Sequence, residues 1–411
     1  MLISGTFDVA NYGDLLFPIV AAARLEPFGY RVVPVAPTSA TTVFRDALPA
    51  RSLADVMDDD APIAGVLIGG GEIVHAWSAR FLREYQDSST AASAYAALWF
   101  GASALAARRD SPVVWNAPGA PSVLPRMLRD TLLAPALKAA DHVAVRDRAS
   151  AGSLSGCIAQ PAIIVPDTAL DVARIWPREA LSEAYRQFIL RMSLCGTEAT
   201  LCVHLRPGGL GHASIPEVAA SIDRIARDLD LTPVLLSIGP SLGDADTLQA
   251  LSDRLTTRHV LANRPTTLRE IASVIAHARG YLGNSLHGYV TAAAYGVPGV
   301  VVARPGFRKF LGFAEQIGRP EDVVGGWSLG FVRLANGLMN RPQPVLGADI
   351  VARLDQHWDR IVASLADPNA GRARRAAFLR HVGGMTEFPA MLPAWIARPR
   401  QQWEARHAVG S

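Results

Sequence analysis

Cysteine is scarce in this chain. Cys157, Cys195 and Cys202 are the only three among 411 residues, and no Cys-x-x-Cys pair occurs. An odd set at such spacing excludes a disulfide framework and a thiolate zinc site as organising devices, and it fits a reducing compartment. Charge is scarce as well. Charged residues make up 19% and the formal net charge is +3. So small an excess, scattered along the chain, offers no basic stripe to a phosphodiester backbone, and nucleic acid is not an expected partner. No uncharged apolar run reaches the roughly 18 residues a membrane helix needs. Thr90 to Ala107 comes nearest, but it carries polar residues and ends at Arg108-Arg109, so it reads as a buried helix. Met1 leads straight into a strand-like pattern, without the basic-then-apolar order of a secretory leader. The expected location is therefore cytoplasmic, with peripheral attachment at the inner membrane face left open. Gly-x-Gly-x-x-Gly is missing too, which removes the dinucleotide fingerprint.

Half of the residues are hydrophobic, enough for large cores, and the length favours two domains. Short apolar runs alternate with helical patterns. Met1–Ser4, Arg31–Ala36, Gly65–Ile68, Val113–Ala117, His142–Val145 and Ala162–Val165 read as strands, separated by helices over Asp14–Phe28, Ser78–Ala107 and Arg126–Ala140. The strand runs are continuously apolar, as when both faces of a parallel sheet are covered. After an amphipathic connector, Arg178–Leu194, a second series begins. Its strands are Leu201–Leu205, Pro233–Ile238, His259–Leu261, Arg279–Leu282 and Gly299–Val302, and a capping box is expected at Thr267–Glu270. A helix is expected over Phe307–Ile317. The predicted fold class is α/β: two Rossmann-like parallel-sheet domains facing a cleft, GT-B-like. Residues 1–171 form the first domain, 172–199 the connector and 200–348 the second domain. Residues 349–411 form a helical tail that packs back on the first domain.

Ligands of open parallel sheets lie beyond the carboxyl ends of the strands, so the residues leaving each strand carry the functional reading. The first strand leads to Asn11-Tyr12-Gly13-Asp14 at a helix start, where backbone N–H groups can receive an anion. An ordinary turn with an Asn or Asp cap accounts for it equally well. The third strand ends in Gly69-Gly70-Gly71-Glu72, an entropically costly run that implies close approach of a ligand or another backbone. Arg146-Asp147 and Pro166-Asp167 close later strands, and an exposed salt bridge with a cap remains an alternative for the first pair. In the second half, His204 and Arg206 share a strand face, and Arg206 can grip a carboxylate or phosphate. His287 opens a helix of small residues straight after a strand, in Gly283-Asn284-Ser285-Leu286-His287-Gly288. An imidazole there is a tunable acid, and a histidine that merely caps or packs locally is the alternative. No His, Cys or Asp cluster at ligand spacing occurs, so no metal is expected.

In this order, the segments resemble the polysaccharide pyruvyl transferase family. The matching pieces are Asn11–Asp14, the Gly69–Gly71 turn, Val145–Ser150, Pro166-Asp167 with Ala169-Leu170, Leu205-Arg206, Leu286-His287-Gly288, Ala294–Pro298 and Lys309 ahead of Ile317-Gly318. The resemblance implies phosphoenolpyruvate as donor, with no further cofactor. It also implies a saccharide as acceptor, lipid- or nucleotide-linked forms included, and a pyruvate ketal as product. His287 is then the expected acid and Asp14 the expected base. Asn11, Gly13, Gly70, Gly71, Arg146, Arg206, Ser285, Leu286, Gly288, Arg304, Arg308 and Lys309 are the expected substrate-binding set. Members of the family often carry Arg directly before the Leu-His pair. Here Ser285 stands there, and Arg304, Arg308 or Lys309 is expected to supply the cation instead. Two other functions fit the same architecture: a nucleotide-sugar glycosyltransferase and a catalytically silent anion- or sugar-binding protein.

Overall fold

The computed structural model describes residues 1–158, 161–304, 308–340, 346–385 and 391–393. Two wholly parallel sheets organise them. The first contains β1 (Leu2–Ser4), β2 (Val33–Ala36), β3 (Arg51–Ser52), β4 (Val66–Gly69), β5 (Val113–Asn116), β6 (His142–Val145) and β7 (Ile163–Ile164), in the order β3-β2-β1-β4-β5-β6-β7. The second contains β8 (Thr200–His204), β9 (Thr232–Leu236), β10 (Val260–Ala262), β11 (Gly280–Gly283), β12 (Gly299–Val302) and β13 (Val323–Val324), in the order β10-β9-β8-β11-β12-β13. Each order reverses once, between β1 and β4 in the first sheet and between β8 and β11 in the second. Those two reversals open crevices at the carboxyl ends of their strands.

The apolar strands fill both faces of each sheet. Val66, Leu67 and Ile68 are all buried, as are Val113, Val114 and Trp115. One apolar core runs through both sheets: Ile3, Phe17 and Leu67 belong to the same cluster as Val234, Tyr281 and Tyr289. The contact between the halves is also hydrogen-bonded. Tyr12 N donates to Ile238 O at 3.0 Å, and the Tyr12 and Thr291 hydroxyls meet at 2.9 Å. Asp46 of the first half accepts from Leu268 N (2.6 Å) and Arg269 N (3.0 Å), capping a helix of the second.

Several expectations need correction. Ser78–Ala107 is not one helix. Residues 83–85 and 89–92 are short 3-10 turns, and α-helix begins only at Ala94, continuing to Arg108 with a wider turn over Ala97–Gly101. Ser88 explains the break: its hydroxyl accepts from Thr90 N and competes with helical pairing. The capping box at Thr267 is half formed. Thr267 accepts from Glu270 N, but the Glu270 carboxylate accepts from Thr266 N and pairs with Arg191. A complete box forms at Ser214 and Glu217. The short edge strands β3 and β13 were not anticipated. Phe307 and residues 394–411 of the tail lie outside the described residues. The described part of the tail, helices Ala348–Ala366 and Arg372–Gly383, packs on β6 and on the helices Ala102–Arg108 and Ala134–Ala139. Among the described residues no helix is long and apolar enough to cross a membrane.

Candidate active site

The two crevices face each other across one cleft of ≈ 190 Å³. A larger cavity, ≈ 330 Å³, opens near Met1 and Arg31, at the amino ends of β1 and β2 where parallel sheets rarely bind ligands. The first half lends the smaller cleft Asn11 and Asp14 from beyond β1, Glu72 from beyond β4 and Arg146 from beyond β6. The second half lends Arg206, Ser285, Leu286, His287 and Lys309.

His287 is the meeting point. Ser285 caps the helix Leu286–Ala294, its hydroxyl accepting from Gly288 N at 3.2 Å, and this fixes the direction in which His287 leaves the backbone. The ring is 8% exposed and packs edge-on against Phe17 of the first half, with centroids 5.4 Å apart. Its Nε2 lies 3.6 Å from Asp167 Oδ2, which also sits 4.0 Å from Arg146 Nη1, and neither of the first two atoms has a partner at hydrogen-bond distance. Its Nδ1 lies against Gly13, where a Cβ would come within 1.8 Å. Gly13 is therefore required by the approach of the second half's histidine. Gly70 and Gly71 both sit at positive φ, +69° and +72°. A Cβ at Gly70 would strike the Phe17 ring, while one at Gly71 would press on Asp14 Oδ1 at 3.0 Å. The triple-glycine turn thus makes room for the ring under His287 and for the Asp14 carboxylate.

Asp14 accepts from the Thr6 hydroxyl and from Asn11 Nδ2, each at 2.9 Å, so Asn11 orients it. It does not cap its own helix. Burial raises its pKa, and the neighbouring His287 works against that rise. Glu72 is the hub of the cationic wall. It binds Lys309 Nζ at 2.8 Å and Arg146 Nη2 at 3.2 Å. Burial works to raise the Glu72 carboxyl, but Lys309 and then Arg146 outweigh it and hold it at about 2. Burial lowers the Lys309 ammonium pKa, opposed by Glu72. Burial likewise lowers Arg206, and the nearby Arg304 adds to the effect. Asp167 stays below the ordinary carboxylate range. Burial pushes it up, but His287 and Arg146 beside it prevail.

The expected binding set therefore divides. Asn11, Arg146, Arg206, Ser285, Leu286 and Lys309 line the cleft, whereas Gly13, Gly70 and Gly71 shape it from behind. Gly288 packs under Tyr281, whose hydroxyl would lie 2.3 Å from a Cβ there. Arg304 and Arg308 are exposed and outside the lining; Arg304 lies against Gly208. Of the three replacement cations considered for Ser285, Lys309 is the one in the wall.

Sequence reasoning assigned no role to Glu72 or Asp167, although both follow strand ends within quoted motifs. It also missed the pairing of His204 Nε2 with Asp244 Oδ2 at 2.9 Å, in which Asp244 further accepts from Ile238 N and Gly239 N. Among the described residues no group of three or more His, Cys, Asp or Glu is placed to hold a metal ion.

The fold is a two-domain α/β fold of the GT-B-like type, with Asp14 and Asp167 facing His287 where the two parallel sheets meet. The chain belongs to the polysaccharide pyruvyl transferase family, whose model matches residues 11–305. Among solved structures, UDP-GlcNAc 2-epimerase from Methanocaldococcus jannaschii is similar with TM-score 0.55 at 10% identity, over 89% of this chain and 98% of that one. The UDP-GlcNAc 2-epimerase of Neisseria meningitidis, bound to UDP-GlcNAc, gives 0.53 at 14% identity, over 89% and 99%. At such identity these likenesses concern the fold alone. No curated protein matches the sequence.

Proposed function

We propose that the cleft transfers a pyruvyl group from phosphoenolpyruvate to two hydroxyls of a saccharide, forming a pyruvate ketal. The observation that carries this reading is the meeting of His287 and Asp14. They come from different sheets, yet they line one cleft, where His287 opposes the burial-driven rise of the Asp14 pKa, beside a wall holding Lys309 and Arg206.

The chemistry asks for an acid, a base and fixed cations. His287 gives a proton to the methylene carbon of the enol phosphate, and the central carbon becomes electrophilic. A sugar hydroxyl adds to that carbon, and Asp14, made more basic by burial, takes the hydroxyl proton. The carbon–oxygen bond to phosphate breaks and phosphate leaves with the electron pair. A second hydroxyl then adds and closes the ketal. In the balance, one hydroxyl proton ends on the new methyl group and the other on the phosphate. Arg206, Lys309 and the free N–H groups at the start of the Leu286–Ala294 helix receive the donor's carboxylate and phosphate. These groups, rather than a metal, neutralise the donor.

Thermal-shift measurements with phosphoenolpyruvate and, separately, with nucleotide sugars test the donor. Stabilisation by phosphoenolpyruvate is expected. A mass-spectrometric search with phosphoenolpyruvate and cell-derived saccharides should then find a product heavier by one pyruvate less one water. Stabilisation and turnover with a nucleotide sugar alone would instead select a glycosyltransferase.

A further inference from the structure

The loop between β4 and the helix beginning at Ala94 is long for a compact α/β domain and largely irregular, a form usually reserved for binding work. It is nonetheless firmly held. Val74 N donates to Gly119 O (3.1 Å), Trp99 Nε1 donates to His75 O (3.1 Å), and Ala79 N donates to Ala91 O (2.8 Å). On this anchored loop two large rings face outward: Trp77 is 53% and Phe81 59% exposed. Both line the same cleft as Asp14 and His287.

The two rings are braced from behind. Trp77 packs on His75 (centroids 4.4 Å apart), His75 on Tyr95 (3.9 Å), and Phe81 lies nearly parallel to Tyr95 (6.3 Å, 9°). His75 is itself pinned, with Nε2 at 3.1 Å from Glu72 O and Nδ1 accepting from Trp77 N at 3.2 Å. Burial lowers its pKa to about 4, so the stack is uncharged at neutral pH. Singly exposed hydrophobics are ordinary, but two braced aromatic rings left exposed together on the lining of one cleft form an apolar patch of the kind that marks a ligand site. A flat ring offers its negative π face, and the matching ligand presents weakly positive C–H groups over a flat area. A pyranose ring does this with its axial hydrogens while keeping its hydroxyls at the rim.

We propose that Trp77 and Phe81 form the acceptor subsite, on which a pyranose ring of the saccharide stacks with its hydroxyls directed toward Asp14. The identity of the ligand rests on the pyruvyl-transfer reading above.

The test uses the full-length protein and the methyl glycosides of glucose, galactose, mannose and N-acetylglucosamine, with UDP as the competing aromatic ligand. Saturation-transfer NMR titrations give affinities for the wild type, Trp77→Ala, Phe81→Ala and Trp77→Phe. Because both rings are exposed, the alanine variants are expected to fold, which thermal denaturation checks. At least one glycoside should bind the wild type, with affinity falling about tenfold for each alanine substitution. Trp77→Phe should retain most of the binding. Glycoside affinity equal in wild type and both alanine variants, absence of glycoside binding, or binding of UDP in place of every glycoside each overturns the proposal. Calorimetry with phosphoenolpyruvate on the same samples separates the two levels. Unchanged phosphoenolpyruvate binding beside an unaffected glycoside sinks the platform alone, whereas absent phosphoenolpyruvate binding sinks the reading beneath it.

Discussion

At the scale of single residues, the proposed acid and the proposed base stand on opposite sides of a domain boundary. Asp14 is held by Thr6 and Asn11 and made more basic by burial. Asp14→Asn keeps the shape and both hydrogen-bonding neighbours but removes the base. Turnover should fall by roughly 10²–10⁴-fold, with phosphoenolpyruvate affinity by calorimetry largely kept. Arg206→Ala should do the reverse, weakening donor binding by about ten- to hundredfold, since a charge-assisted contact contributes roughly 1.5–3 kcal/mol. Unchanged calorimetric affinity would remove Arg206 from the donor site. That His287, Asp14 and Arg206 would reach one cleft was legible because strand ends in a parallel sheet are where ligands bind. Glu72 and Asp167 were printed in the same motifs, but their roles were not legible. Glu72 acquires meaning through Lys309, 237 positions later, and through Arg146, while Asp167 does so through His287 and Arg146. A local pattern does not carry such pairings.

At the scale of elements, two turns and one cap set the geometry. Gly13 lies in the first turn of the Tyr12–Leu25 helix, at the point where His287 of the other half arrives. Gly13→Ala should therefore displace the imidazole and depress turnover by at least tenfold, the size of a mispositioned catalytic group. Phosphoenolpyruvate binding should be less affected, and steady-state kinetics beside calorimetry would show the split. Ser285→Ala removes the hydroxyl that accepts from Gly288 N, a loss of about 1 kcal/mol of stability measurable by denaturant unfolding. Elements with strong apolar runs were readable to within a few residues; β6 and β12 coincide with their sequence ranges. The stretch from Ser78 to Ser93 was not, because its apolar spacing suits a helix while Ser88 diverts the backbone into turns. That misreading hid the exposed Phe81 ring.

At the scale of the whole molecule, the two halves share a core and close around the cleft, and the C-terminal helices return to the first half. His357 on the Ala348–Ala366 helix donates from Nε2 to Asn116 Oδ1 at 2.9 Å, and its Nδ1 lies 3.4 Å from His142 Nε2. Burial lowers His357 to about 3, and it lowers His142 and His75 to about 4. Their folded pKa values lie below the ordinary histidine value, so the unfolded chain binds protons the folded chain refuses. The stability they contribute is present above about pH 6.5 and is lost as pH falls toward 4 and 3. Thermal denaturation between pH 7 and pH 4 should show a decline on the order of a few kcal/mol, and His357→Gln should flatten it. Chemistry in the cleft is decided by the turnover of His287→Ala with phosphoenolpyruvate and a saccharide that the wild type converts to a ketal. The prediction is a rate lower by roughly 10²–10⁴-fold in a folded protein that still binds phosphoenolpyruvate. Near-normal turnover in that variant would contradict it.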